Sequence, residues 1–369
     1  MATGKPPSSA AAARIDLYSD TVTRPGQGMR RAIAEAEVGD EQHRLDPTVN
    51  RLVERVSELL GAEDALFLPS GTMCNMISLR VHCSLGDEAI TDRSAHIRVN
   101  ESGGPAALAG VNIATIDGDK GVFTAHQLRE AIRPIGNHFP RSRCVIIEQT
   151  ANLTGGVIWP IETIREVCDT AKKFGLSCHM DGARLFNAVV ETGVPGSEFC
   201  RSFDSAWIDF SKGLGAPVGA ALTGSADFIR EAWRFKHQFG GAMRQSGIVA
   251  AAALYAIEHN ITRLADDHRN ARRFAEILRD APGITVEPVH TNMVFFTVGG
   301  RNVLDQAEPD NTSTFTPARV FADAALNQGV RFSVVGPRRL RAVTHLDVTS
   351  HQVEEAAKIA LQIAKSSVI

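Results

Sequence analysis

The chain has 369 residues, with 39 lysines and arginines against 42 aspartates and glutamates, a formal net charge of −3, and 44% hydrophobic residues. This is the composition of a folded globular protein, and the length accommodates two domains, or one large one with an appendage, with core enough for an enzyme. A near-neutral balance without a run of basic residues gives no electrostatic footprint for a nucleic-acid backbone or an anionic membrane, so neither is expected as a partner.

Residues 1–14 contain one lysine and four consecutive alanines, well short of the apolar core of a signal peptide. They read as a disordered leader. From Asp46, an acidic N-cap precedes Pro47 at the first helical position; Val49, Leu52, Val53, Val56, Leu59 and Leu60 then share one face before Gly61, which predicts a helix. Short apolar runs follow at Ala65–Leu68, Asn112–Ile116, Cys144–Ile147, Leu176–Met180, Ala206–Phe210 and Ala220–Thr223, alternating with helical stretches such as Ile161–Phe174. Strands alternating with helices imply a mainly parallel α/β sheet. A long helical region, Gly247–Arg269, reads as the link to a second, smaller α+β domain. That domain is expected to run through a helix (Ala271–Asp280), strands (Thr285–Val289, Met293–Val298), a helix (Ala318–Asn327), strands (Val330–Val335, Leu340–Thr344) and a helix (Gln352–Lys365). The expected division is 15–255 for the large domain and 256–369 for the small one.

The longest apolar stretch, Ile248–Ile257, is about half the roughly 20 residues a membrane helix needs. The cysteines (Cys74, Cys83, Cys144, Cys168, Cys178, Cys200) are scattered, never as CxxC, and sit mostly in apolar contexts. That suits buried thiols in a reducing compartment, so a cytoplasmic protein is expected, and no metal.

Three segments carry chemistry. At Phe210-Ser211-Lys212-Gly213 an apolar strand ends in a lysine, and desolvation of an amine in such a place prepares a Schiff-base nucleophile. At His179-Met180-Asp181-Gly182-Ala183-Arg184 a carboxylate closes another apolar strand. Both groups then face the crevice at the carboxyl ends of the strands, where ligands of open α/β sheets bind. At Leu68-Pro69-Ser70-Gly71-Thr72 a strand runs into a helix whose first amides, with the hydroxyls of Ser70 and Thr72, make a phosphate cradle. Each has a plainer explanation alone: a lysine snorkelling to solvent, an aspartate capping a helix or pairing with Arg184, a capped turn. Together they fit pyridoxal 5′-phosphate (PLP), with Asp181 holding the ring nitrogen protonated and Lys212 forming an imine. His96 is a candidate for stacking on the ring.

The segments DLYSDTVTRP (16–25), VGDEQHRLDPTVN (38–50), LPSGTMCN (68–75), HMDGARLFNA (179–188), DFSKGLGAPVG (209–219), GGAMRQSG (240–247), TNMVFF (291–296) and VTHLDV (343–348) resemble, in order, those of the L-threonine aldolase family. The resemblance implies the aspartate-aminotransferase-like PLP fold (fold type I): a large domain with a mainly parallel seven-stranded sheet, and a small C-terminal α+β domain. It implies retro-aldol cleavage of an L-β-hydroxy-α-amino acid to glycine and an aldehyde, by a homo-oligomer whose dimers share active sites and which is usually a tetramer. By position it makes Lys212 the imine lysine, Asp181 the ring-nitrogen partner and His96 the stacking and catalytic residue. Gly71 and Thr72 become phosphate contacts, joined by Ser70 on the reading above, and Ser19, Arg184 and Arg341 the holders of the substrate carboxylate; His43, arriving from the neighbouring subunit, is a further candidate for contact with the substrate.

Two departures from the family pattern stand out. Where the family reads ENTHN, this chain has Glu148-Gln149-Thr150-Ala151-Asn152, so a methyl replaces the histidine often assigned to the β-hydroxyl. Where the family has an aromatic–Gly–acidic run, it has His43-Arg44-Leu45. The first bears on the reaction, leaving an amino-acid racemase or β-eliminating lyase as the rival enzyme on the same site. The second bears on specificity: Arg44, with Arg98, suits a polar or anionic group beyond Cβ unless both pair with acidic neighbours. A non-catalytic binding module is the remaining alternative, with no evident reason to retain Lys212 and Asp181.

Overall fold

The computed structural model describes residues 13–299 and 316–366. In chain order its strands are β1 (Ile15–Asp16), β2 (Asp64–Leu68), β3 (Glu88–Asp92), β4 (Asn112–Ile116), β5 (Ser142–Glu148), β6 (Ser177–Gly182), β7 (Ser205–Asp209), β8 (Ala220–Gly224), β9 (Ile284–Val286), β10 (Met293–Val298), β11 (Val330–Arg331), β12 (Ser333–Val334) and β13 (Arg339–Val343). They fall in two compact units, residues 23–264 and the two chain ends, 1–22 with 265–369.

The large unit carries a seven-stranded sheet in the order β2-β8-β7-β6-β5-β3-β4. Strands β3 to β7 are mutually parallel, and β8 runs antiparallel to both of its neighbours. This is the mainly parallel, fold-type-I arrangement expected. The central strands are apolar runs because both faces are covered: Cys144, Val145, Ile146 and Ile147 of β5 are all buried. Only β3 escapes the sequence pattern, since it is flanked by acids that are depleted in strands. Here Glu88 is matched by Arg133, the preceding Asp87 by Arg141, and Asp92 accepts the Ser94 amide, so the acids close the strand's ends rather than break it.

In the small unit a four-stranded antiparallel sheet, β12-β13-β10-β9, lies with the helices Pro317–Asn327 and Ser350–Ser366, and β1 pairs parallel with β11. Two boundaries differ from expectation. Residues 15–22 belong to the small unit, because Ile15 and Leu17 are fully buried in a core with Phe274, Phe296 and Phe332. The units part between Leu264 and Ala265 rather than at 255/256. The expected single linking helix is two, Gly247–His259 and Leu264–Leu278. The run Val330–Val335 is divided at buried Phe332 into β11 and β12, which serve different sheets. Of the expected leader, Arg14 pairs with Glu355; residues 1–12 lie outside the described residues.

The helix Pro47–Leu60 starts and stops where its sequence directs. Asp46 caps it, with Oδ1 accepting from the amides of Thr48 (3.1 Å) and Val49 (3.0 Å), and Gly61 ends it at φ 65°. The same buried carboxylate does more than cap. Its Oδ2 accepts from the amides of Gly39 (3.1 Å) and Gly247 (2.8 Å), tying the 39–46 loop to the start of the helix Gly247–His259. Asp46→Ala is therefore expected to cost about 3 kcal/mol, a lost cap plus amides left buried without acceptors. Urea unfolding measures it; a loss under about 0.5 kcal/mol, the scale of an ordinary surface substitution, would contradict this reading.

Candidate active site

Register sets the site. Glu148 on β5 lies opposite Asp181 on β6, and Asp181 opposite Trp207 on β7, so three side chains stand in one row at the carboxyl ends of parallel strands. Two residues earlier on the same face, His179 lies opposite Ser205. The helix Gly71–His82 covers this face. Its Asn75 sits fully buried against the row: Nδ2 donates to Asp181 Oδ2 at 3.0 Å and to Glu101 Oε1 at 2.8 Å, while Oδ1 accepts from Trp207 Nε1 at 2.7 Å. The other oxygen of Asp181 accepts from the Ala183 amide at 3.2 Å. An added Cβ on Gly71 would stand 2.1 Å from the Trp207 ring, so only glycine lets the helix start this close to the sheet.

His96 joins the same cluster. Its Nδ1 lies 2.9 Å from Glu101 Oε1, and ligand atoms of His96, Glu101 and Asp181 all fall within 4.8 Å of one another. Burial raises the Glu101 pKa against the opposing pull of His96. Oε1 takes the contacts of both Asn75 and His96, and the remaining Oε2 is buried without a hydrogen-bond partner among the described residues. Glu148 is pushed up to about 8, by burial first and then by the charge of Asp181, with Arg184, Lys212 and the His96 amide pulling the other way.

Lys212 lies in the turn between β7 and β8. It is not an isolated amine: Nζ is 2.8 Å from Asp209 Oδ2, and Asp209 Oδ1 accepts from both the amide and hydroxyl of Ser211 at 2.7 Å. The Thr23 hydroxyl donates to the Lys212 carbonyl at 2.9 Å. At the helix start the Ser70 hydroxyl accepts from the Met73 amide, which leaves the amides of Gly71 and Thr72 facing outward from the helix end. One unit thus offers an amine, a carboxylate, an imidazole and a pair of helix-start amides. That donor set fits the aldehyde, ring nitrogen, ring face and phosphate of PLP.

The other expected residues fall as follows. Arg184 is buried and its amide donates to the Gln149 carbonyl at 3.1 Å. Ser19 and Arg341 are brought together within the small unit: both are buried, the Ser19 hydroxyl accepts from the Thr21 amide at 3.2 Å, and Arg341 donates to the neighbouring Tyr18 carbonyl at 3.5 Å. His43 is exposed in this chain, 4.0 Å from Asp40. Arg44 reaches Asp64 at 3.5 Å and Arg98 donates to the Arg93 carbonyl at 3.2 Å, and both side chains are exposed. Arg44 takes φ 56°, the left-handed conformation that glycine adopts without strain. Ala151 is buried three residues beyond β5 and packs toward Gly121.

Asn75, Glu148, Trp207 and Asp209 are not among the site residues expected from the sequence, whereas Glu101 lies in the segment that follows His96. The signals were present: a lone amide inside the apolar helix run Met73–Leu79, and carboxylates closing apolar strands at Glu148 and Asp209, as Asp181 does.

Known proteins resemble this chain over most of its length. Residues 16–300 match the family described as beta-eliminating lyase. The chain is 41% identical to the low specificity L-threonine aldolase of Escherichia coli K12 over 344 residues, 93% of this chain and 97% of that one. It is 39% identical to low-specificity L-threonine aldolase 1 of Arabidopsis thaliana, covering 92% of this chain and 93% of that one. A solved threonine aldolase from Leishmania major shares the fold with a TM-score of 0.80 at 18% identity, over 95% of this chain and 99% of that one.

The raised pKa of Glu148 has a measurable sign. An acid whose pKa is higher folded than unfolded binds more protons in the folded state, so its contribution to stability falls as pH rises from about 4.5 to about 8. Glu148→Gln removes that penalty. The stability of the variant relative to the parent is expected to increase from pH 5 to pH 8 in thermal unfolding, and a difference independent of pH would contradict the assignment.

Proposed function

The chain belongs to the beta-eliminating lyase family, and we propose that it cleaves L-β-hydroxy-α-amino acids of the threonine, allo-threonine and phenylserine type to glycine and an aldehyde by a retro-aldol reaction. The cofactor is pyridoxal 5′-phosphate, which when bound supplies a carbonyl to the lysine and a protonated ring that takes up the electron pair of the breaking Cα–Cβ bond. The observation that carries the reading is the cluster of Asp181, His96 and Glu101, with Asp181 opposite Glu148 and the Lys212 amine held by Asp209, in a chain with this degree of likeness to L-threonine aldolases.

In this reading each residue has a separate task. Lys212 is the attachment point, and Asp209 fixes its amine before attachment. Asp181 keeps the ring nitrogen protonated. The Gly71 and Thr72 amides, with the Ser70 and Thr72 hydroxyls, hold the phosphate. Arg184 holds the substrate carboxylate, for which the guanidinium fork is suited; this orients the bond that breaks. The β-hydroxyl must lose its proton as that bond breaks, and a positioned base contributes about 10²–10⁴-fold. With a methyl at Ala151, we assign that proton to His96. Its Nδ1 is engaged by Glu101, which leaves Nε2 free for the substrate.

The working assembly in this proposal is a homo-oligomer, a dimer sharing active sites and further paired into a tetramer. Exposed Val38, Leu45 and Ile248 supply apolar surface for such a contact. All six cysteines are free and buried, which supports a cytoplasmic setting. No helix among the described residues is long and apolar enough to cross a membrane.

The absent imidazole at Ala151 also favours the rival reading, an amino-acid racemase or β-eliminating lyase. Product analysis separates the two. Incubation with threonine should release glycine and acetaldehyde, with little exchange of the alanine α-proton or formation of pyruvate from serine. Exchange or pyruvate faster than glycine would overturn the proposal. For the attachment site, Lys212→Ala should stay folded, form no absorbance band with added PLP and acquire no borohydride-fixed adduct. A fixed adduct on another lysine would move the assignment.

A further inference from the structure

Behind Asp181 a chain of buried polar groups runs between the sheet and the helix that covers it. Asn75 and His82 lie seven residues apart on one face of the helix Gly71–His82, and they meet two rows of the sheet: Asp181 with Trp207, and His179 with Ser205. The contacts run His82 Nε2 to Ser205 Oγ (2.7 Å), Ser205 Oγ to His179 Nδ1 (2.8 Å), His179 Nε2 to Asn75 Oδ1 (3.1 Å) and Asn75 Nδ2 to Asp181 Oδ2 (3.0 Å). His82 stacks on Phe228 at 4.9 Å and lines a pocket of about 520 Å³ that also includes Ser177, Asp204 and Ser205, at the amino ends of β6 and β7.

The direction of every donor in this chain follows from one group. An indole nitrogen only donates, so the atom of Asn75 facing Trp207 is its oxygen and the amide nitrogen faces Asp181 and Glu101. His179 Nε2 faces the same oxygen and must carry a hydrogen. Burial pushes the His179 imidazole down to about 3, so the ring is neutral and its Nδ1 accepts. Ser205 then donates to His179 and accepts from His82. Were the Asn75 amide reversed, its oxygen would face two carboxyl groups and its nitrogen two donors.

We propose that His179, Ser205 and His82 are positioning residues which, through Asn75, hold a donor on Asp181 so that this carboxylate keeps the cofactor's ring nitrogen protonated. This rests on Asp181 being the ring-nitrogen partner, as argued above. Trp207 supplies one lock on the amide and His179 the second, so loss of His179 has a partial effect.

The test uses the full chain loaded with PLP labelled with ¹⁵N at the ring nitrogen, whose chemical shift reports protonation there. Asp181→Asn should move the resonance to the unprotonated range. His179→Leu should move it part of the way in the same direction and lower kcat for threonine cleavage about 10-fold, the effect of weakening one hydrogen bond to a charged group. His179→Gln, whose amide nitrogen replaces the Nε2 donor, should restore both. If Asp181→Asn shifts the resonance while His179→Leu leaves it at the parent value, the relay is wrong. If both leave it unchanged, the Asp181 reading itself fails and the relay falls with it. Should His179→Leu not fold, Ser205→Ala and His82→Phe decide in its place: a shift in the same direction supports the relay, and parent-like resonances in both reject it.

Discussion

Three carboxyl groups, on Glu101, Glu148 and Asp181, are buried around the carboxyl ends of β5 and β6, and low-dielectric surroundings do not tolerate three like charges at close range. The structure settles the competition by unequal solvation. Asp181 receives a donor on each oxygen, from Asn75 and from the Ala183 amide. Glu101 places both of its donors on one oxygen, and Glu148 is pushed up to about 8. Burial thus raises both glutamates, while Asp181, with a donor on each oxygen, is the carboxylate that faces the cofactor position in the proposed reading. The rest of the site is arranged around that outcome.

The fold delivers the arrangement with few parts. Parallel β5, β6 and β7 bring their carboxyl ends to one edge, and the reversal into antiparallel β8 puts a short turn there, in which Lys212 lies within reach of Asp209. One helix, Gly71–His82, then serves twice, offering unpaired amides at its start and Asn75 one turn further on. Trp207 couples these roles, since its ring packs on Gly71 while its Nε1 fixes the Asn75 amide. Enlarging Gly71 would thus disturb the amide pair and the Asp181 contact together.

Much of this was legible in the sequence, and for a physical reason. Buried parallel strands read as apolar runs, so a charged residue at the end of one, as at Asp181 or Lys212, is conspicuous. The same reasoning passed over Glu148 and Asp209, which close their strands in the same way, because a single carboxylate at a strand end has a plain explanation until its neighbours are known. Asn75 and Trp207 were harder to find: their importance lies in pairing across helix and sheet, which no local pattern encodes. Strand β3 was hidden by acids whose arginine partners, Arg133 and Arg141, come 45 or more residues later. The placement of residues 15–22 was equally non-local, since Ile15 finds its partner strand at Val330.

The departures from the family pattern also take physical form. Arg44 occupies a left-handed position suited to glycine and turns its charge to Asp64. Ala151 removes a side chain without removing the amine, carboxylate and imidazole that the chemistry needs. The account depends most on Asp181 as the charged partner of the ring nitrogen. Its most direct test is to compare Asp181→Asn with the parent at saturating PLP, measuring cofactor occupancy and kcat for threonine cleavage together. Retained occupancy with a fall in kcat of about 10- to 100-fold is the expected result, the loss of one charge-assisted hydrogen bond acting in the transition state. Near-parental turnover in the loaded variant would contradict the account.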